Sequence, residues 1–309
     1  MAFIRGGKVN PKLEKIILGL KSRNALPKKM DMTSVGPYSY ANVYDEVNSA
    51  VISDSVACGF DKDPATALMK SLSEFIETKA FHEGFKNGMA SCQTERSDGF
   101  AAYPTSDASI CKVQARKNAR AEAIERFVWA NWWDDESIGF TKKKLNDINL
   151  TQAQTFFCDE IQKSFSVEKI ISVYPYFENM GSENLVIFVG FLKNGGVVSG
   201  GACGEKAEST TDRALSELYR HGLSIKRMRD GLVEPGTFYE KRLWFFSTPK
   251  GQTLAEQRLS KVGTAKIILP TVKFDEEVPH SFSDLFYVHR YLFDNQPKFI
   301  GGQLERFCI

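Results

Sequence analysis

Glutamates spaced three apart, repeated on separate predicted helices, are the residues of this chain best suited to chemistry. Residues 118 to 133 read Asn-Ala-Arg-Ala-Glu-Ala-Ile-Glu-Arg-Phe-Val-Trp-Ala-Asn-Trp-Trp. Ala, Glu, Ile and Arg favour helix and nothing in the run breaks it. At helical period Glu122 and Glu125 share a face and Arg126 lies four beyond Glu122, while Ala121, Ile124, Val128 and Trp132 share another. One side packs; the other presents two carboxylates and a guanidinium. Taken alone, such a face is an ordinary solvated charge cluster.

The pattern recurs. Residues 65 to 81 place Glu74 and Glu77 in a second Ala/Leu-rich helix, and Thr211 to Arg220 form a third copy that keeps Glu217 and loses the second acid. The first and third copies follow the same tripeptide, Ala57-Cys58-Gly59 and Ala202-Cys203-Gly204. Three related acidic helices point to a built site. Facing Glu-x-x-Glu pairs can bind a metal, exchange protons or hydrogen-bond one another. A di-iron bundle needs Glu-x-x-His on two helices, and neither Glu74 nor Glu122 has a histidine three residues on. A glycosidase pair needs sugar platforms and isolated acids, which repeated helices do not suggest. Hard oxygen ligands from several helices suit Mg²⁺, which reaches proteins through phosphates and a few carboxylates. Arg126 is placed to hold a phosphate oxygen or to neutralise the acids. No Gly-x-x-x-x-Gly-Lys-[Ser/Thr] run exists, so any nucleotide site is not a P-loop.

Composition narrows the class. The 309 residues carry 42% hydrophobic and 25% charged side chains, as ordinary soluble globular proteins do. A net charge of +2 is no footprint for nucleic acid or an anionic membrane. No apolar run approaches the roughly 18 residues of a membrane span. The first residues lack the apolar core of a signal peptide, so a cytoplasmic location is expected. Six cysteines (58, 92, 111, 158, 203, 308) show no Cys-x-x-Cys spacing, which argues against zinc and against a disulfide framework. The four histidines show no ligand spacing and read as structural.

The elements that must position the acids are read as follows. Residues 8 to 35 give a short helix around Leu13 to Leu20, a break at Pro27 and a loop. One or two strands between 36 and 57 feed Cys58-Gly59, and Asp63 caps a helix beginning at Pro64. The polar stretch 83 to 108 is expected to be a long mobile surface loop near the site. A helix follows from about Ser109 to Trp133, then another over 150 to 165. Val167 to Tyr174 and Asn184 to Leu192 read as strands, and Asn194-Gly195-Gly196 is a hairpin signal delivering the third acidic helix. Residues 237 to 247 are helical or extended, and strands are expected at 267 to 270 and 285 to 292. No linker divides the chain, so the expectation is one α+β domain over 1–309 with mixed sheets and packed helices, residues 1–35 forming an N-terminal helical extension.

These residues carry a resemblance. Gly59 to Glu77, written Gly-x₅-Ala-x-Ala-Leu-x₅-Glu-Phe-Ile-Glu, resembles the first motif of the YcaO family. Ala119 to Trp133 is similar to its second, Ser199 to Gly204 with Ala214 to Leu218 to its third, and Tyr291 to Pro297 to a late strand ending in Gln-Pro. The ordered set spans about residues 55 to 300. The resemblance implies a non-P-loop ATP site with Mg²⁺ bridging carboxylates and phosphates, and ATP-dependent activation of a peptide backbone amide. The amide oxygen takes phosphate and a nucleophile then displaces it: Cys, Ser or Thr side chains give azolines, sulfide gives thioamides, an amine gives amidines. By position, Glu74, Glu77, Glu122 and Glu125 would be the metal ligands, and Arg126 would meet the phosphates. Phosphoryl transfer needs mainly positioning and charge neutralisation, which these residues supply.

Departures from the family pattern keep alternatives open. The serine usual four residues before the first Glu is replaced by Lys70, with Ser71 beside it as a candidate nucleotide contact. The acid usual upstream of the second pair is absent, and Gln114 and Asn118 occupy the Glu122 stripe there as amide ligands. No Pro-rich tail of the kind associated with azoline formers is present, and no fused docking domain, so a separate partner presenting a ribosomally made peptide or protein is expected; a homodimer is also compatible. The residue acting directly on the amide is not identified. The alternatives are a degenerate YcaO-like subunit that binds a peptide or partner without turnover, and a different Mg-ATP enzyme acting on a small amide or carboxylate.

Overall fold

The computed structural model describes residues 10–45, 57–86, 98–105, 108–178, 182–297 and 303–307. The chain folds into two compact units that share it in alternation. The first comprises Met1–Met89, Phe100–Lys117 and Glu276–His289; the second comprises Ala90–Gly99, Asn118–Asp275 and Arg290–Ile309. The class is α+β, as expected.

In the first unit α1 (Pro11–Ser22) starts where the Asn10 side chain accepts from the Lys12 and Leu13 amides. It packs Leu13, Ile16 and Leu20 into a core shared with Leu68, Leu72, Phe75 and Ile76. Strands β1 (Lys29–Val35), β2 (Tyr38–Tyr44) and β3 (Ala57–Asp61) form an antiparallel sheet in that order. The stretch read as a loop after Pro27 is therefore a strand from Lys29. Its burial does not alternate, so period-two reasoning had nothing to detect. The expected cap is present. Asp63 accepts from the Thr66 amide and hydroxyl, which holds its carboxyl below the ordinary range, and Pro64 opens α2 (Pro64–Lys86).

The expectation of a loop from 83 to 108 is corrected at both ends. Helix α2 continues through Lys86, and Gly99–Pro104 forms β4, whose first four residues are buried. Phe100 stacks edge-on against Phe81 within the first unit's core, so apolar burial outweighs the Gly, Ser and Asp residues preceding it. Residues 87–97 lie outside the described residues.

Helix α3 (Ala108–Asp134) buries Ala121, Ile124, Val128 and Trp132, the face expected from its spacing, and Trp129 beside them. Truncating Trp132 to Ala would cost about 3–5 kcal/mol. In the second unit β5 (Phe140–Lys144), a 3-10 turn at Leu145–Asp147, α4 (Gln152–Phe165), β6 (Val167–Pro175), β7 (Phe177–Glu178), β8 (Asn184–Leu192) and β9 (Val197–Gly204) follow. The antiparallel sheet runs β5-β6-β8-β9, with Gly195 and Gly196 at positive φ in the β8–β9 turn. Helix α5 (Ala207–Arg229) covers it, then α6 (Phe238–Phe246) and α7 (Pro249–Ser260). Strand β10 (Ile267–Ile268) pairs in parallel with β7, and β11 (Val272–Glu277) and β12 (Phe286–Phe293) make a sheet in the order β11-β12-β4. Among the described residues no helix is long and apolar enough to cross a membrane.

Candidate functional site

In each unit a strand glycine fixes how closely an acidic helix approaches. A Cβ on Gly59 would stand 1.9 Å from the Ala67 carbonyl oxygen of α2, and one on Gly99 1.8 Å from that of Ala119 on α3. One on Gly200 would stand 2.1 Å from the Leu218 amide nitrogen of α5. Only glycine permits these contacts. The three acidic helices thus each lie against a strand backbone, and on α2 that closeness lets an amide of the same strand reach the carboxylate of Glu74.

In the first unit the Cys58 amide donates to Glu74 Oε2 at 2.9 Å. Glu74 and Glu77 are both half-buried on α2. Lys70 turns back to β3, donating to Asp61 at 2.7 Å and to the Phe60 carbonyl at 3.0 Å. Ser71 is fully buried, and its hydroxyl donates to the Leu68 carbonyl inside the helix. Gln114, half-buried, lies on the α3 segment belonging to this unit.

In the second unit the Cys203 amide donates to Glu125 Oε2 at 3.1 Å, and Arg213 donates to the Cys203 carbonyl at 3.0 Å. The backbone of one residue, Cys203, therefore links an acid of α3 to a cation of α5. Burial pushes the Glu125 carboxyl up to about 8, aided by the charges of Glu122 and Glu217 and opposed by Arg213 and Arg126. Burial also pushes Glu217 up, but Arg220, His221 and Arg213 outweigh it and leave that carboxyl below its ordinary value. Burial, with the Glu125 charge adding, lifts the Cys203 thiol to about 12, which favours its protonated form. Arg126 donates one guanidinium nitrogen to Glu122 and the other to the Asp98 carbonyl. Asn118, half-buried, lies one turn before Glu122.

Glu122, Glu125, Arg126 and Asn118 are thus placed in the second unit, and Ser71, Glu74, Glu77 and Gln114 in the first. The ion pair expected of a plain i,i+4 face does form between Arg126 and Glu122. Four residues about the second-unit acids were not singled out from the sequence: Asp98, Arg213, Arg220 and Arg290. Arg213 and Arg220 sit in the recognised third helix, one turn before and one turn after Glu217, which was the available signal. A cavity of about 680 Å³ opens in the same unit between Thr210 of α5, Leu185 of β8 and Tyr176, with Glu183 in its wall. Glu183 pairs with Arg120 of α3.

Among the described residues no three acidic, imidazole or thiol groups are grouped to enclose a metal unaided. The donor chemistry nevertheless fits Mg²⁺ arriving with phosphates, since such a cation takes few protein oxygens and keeps the rest from ligand and water. A carboxyl raised by burial and like charges is the group such a cation would ionise.

No family model matches the chain, and no curated protein matches it. Solved structures do. The YcaO from Methanopyrus kandleri bound with AMPPCP and Mg²⁺ superposes with a TM-score of 0.62 at 12% identity, over 94% of this chain and 91% of that one. The E. coli microcin synthetase McbBCD complex matches with a TM-score of 0.55 at 10% identity, over 86% and 87%. The same complex with pro-MccB17 bound gives 0.57 at 11%, over the same shares. The chain has a YcaO-like fold.

Proposed function

We propose that this YcaO-like chain is an ATP-dependent enzyme that activates a backbone amide of a ribosomally made peptide or protein. The observation that carries the reading is the second-unit cluster, in which Glu125, held on the Cys203 amide, is gathered with Glu122, Glu217, Arg126 and Arg213. Acids interleaved with guanidinium groups match the charge pattern of a metal-phosphate ligand. The fold relatives support it, since one was solved with AMPPCP and Mg²⁺ and another with pro-MccB17.

In this reading Glu122 and Glu125 would hold Mg²⁺, and the family resemblance assigns the same ligand chemistry to Glu74 and Glu77. Bound Mg²⁺ would neutralise charge on the phosphates. Arg126 and Arg213 would orient the terminal phosphate for in-line attack by the amide oxygen. A new bond joins that oxygen to phosphorus as the bond to the ADP oxygen breaks. A nucleophile then adds to the amide carbon and phosphate leaves with the former amide oxygen. A side-chain thiol or hydroxyl gives an azoline; sulfide gives a thioamide. The cavity beside Glu183 offers room for the peptide, which a separate protein presents. The nucleotide contact assigned to Gln114 and Asn118 belongs to the same proposal; the Ser71 hydroxyl would have to leave Leu68 to join it.

A second reading, a peptide- or partner-binding subunit without turnover, is favoured by Lys70, whose ammonium is engaged by Asp61, and by uncharged Gln114 and Asn118. Titration calorimetry with Mg-ATP separates the two. Binding supports the enzyme, and absence of binding with retained partner binding supports the subunit.

A further inference from the structure

Arg126 does not stand alone. Its guanidinium meets the backbone carbonyl of Asp98, and the Asp98 side chain is itself fixed by Arg290 of β12. Both members of that ion pair are 1% exposed. Phe274 closes over Arg290 at 4.2 Å from its guanidinium carbon to the ring centroid. Immediately after Asp98, Gly99 lies against the Ala119 carbonyl of α3, so the Asp98 peptide is clamped from two directions. The second carboxylate oxygen, Asp98 Oδ1, is buried without a hydrogen-bond partner among the described residues. Burying an ion pair this deeply, with an acceptor unsatisfied, costs free energy that packed apolar side chains would not. The arrangement therefore calls for a use.

We infer that Asp98 and Arg290 are positioning residues that hold Arg126 in the pose required for phosphate. The inference rests on the nucleotide reading above. The physical reason lies in the shape of the guanidinium. With one nitrogen held by Glu122 and another by the Asp98 carbonyl, the planar fork keeps a single orientation. A carbonyl can restrain a long side chain only if it is rigid itself, and the Arg290 pair supplies that rigidity.

The test is the Kd for Mg-ATP of the full chain and of variants confirmed folded by circular dichroism. Arg126→Lys is expected to weaken binding about tenfold or more. Asp98→Asn, which keeps the side chain's shape, is expected to weaken it by a comparable factor. The Asp98→Asn/Arg126→Lys double variant should then be no worse than Arg126→Lys alone, because both changes remove one interaction. Losing one member of a buried pair can unfold a chain, so Asp98→Asn/Arg290→Gln, which buries no charge, is measured alongside and must also lose affinity. A merely structural pair would move the melting temperature and leave Kd within twofold. That result, or losses that multiply in the double variant, overturns the inference while a weakened Arg126→Lys leaves the nucleotide reading standing. If the wild-type chain itself binds no Mg-ATP, the nucleotide reading fails and the inference falls with it.

Discussion

The tripeptide Ala-Cys-Gly occurs in both units, and in both its central amide donates to a helical glutamate, yet the acids come from different distances. Cys58 reaches Glu74 sixteen residues ahead, on the helix its own strand leads into. Cys203 reaches Glu125 seventy-eight residues behind, on α3 and not on the α5 helix that follows its strand. The surroundings differ as well. Near Cys58 the adjacent cation, Lys70, is absorbed by Asp61. At Cys203 two arginines and three glutamates are brought together, and the Glu125 carboxyl is pushed up to about 8. The local strand-and-helix unit thus supplies the first handshake, whereas non-local packing supplies both the second handshake and the charge cluster around it.

That comparison can be broken at its chemistry first. Glu125→Gln is expected to lower turnover about 10²–10³-fold, the usual cost of losing one aligned electrostatic group, while the chain stays folded. Steady-state rates beside circular dichroism check it. Retained turnover would reduce the second-unit cluster to a structural ornament of the fold.

The packing side comes next. Gly59→Ala and Gly200→Ala each place a methyl group against helix backbone, so both should lose at least about 1–3 kcal/mol in denaturant unfolding, the usual cost of overpacking. If only one is destabilised, the two strand–helix units are not equivalent.

A pH series sharpens the electrostatic contrast. Glu125 holds its proton more tightly folded than unfolded, so the stability it contributes is complete below about 4.5 and is lost as pH rises through about 8. Ligand-free stability should therefore fall across that window, and Glu125→Gln should flatten the fall. Mg-ATP binding near neutral pH should release a proton, visible as a buffer-dependent enthalpy. The smallest effect is expected from the thiols. The backbone makes both handshakes, so Cys58→Ser and Cys203→Ser should keep turnover within a few-fold; loss of turnover in a folded variant would show that a sulfur takes part.

Much of this was legible in the sequence because local periodicity carried it. The 3.6-residue spacing of Ala121, Ile124, Val128 and Trp132 located α3, and Asn194-Gly195-Gly196 located the β8–β9 turn. Strand β11 was missed because its burial does not alternate, and α7 because Pro-Lys-Gly at its start resembles a turn. At the site, residue types marked the glutamates and Arg126. The Cys203 amide was hidden because any residue supplies a backbone N–H, and Asp98 because Ser-Asp-Gly reads as loop chemistry until Gly99 is seen against α3.

The most direct test of the central claim is the melting temperature with and without Mg-ATP for wild type, Glu122→Gln, Glu125→Gln and Arg126→Lys. A cation and phosphates bound by these groups predict ligand-induced stabilisation in wild type that is weakened or lost in all three variants. Glu125→Gln would also be no less stable than wild type without ligand above pH 8. An Mg-ATP shift that survives in all three variants would contradict the assignment.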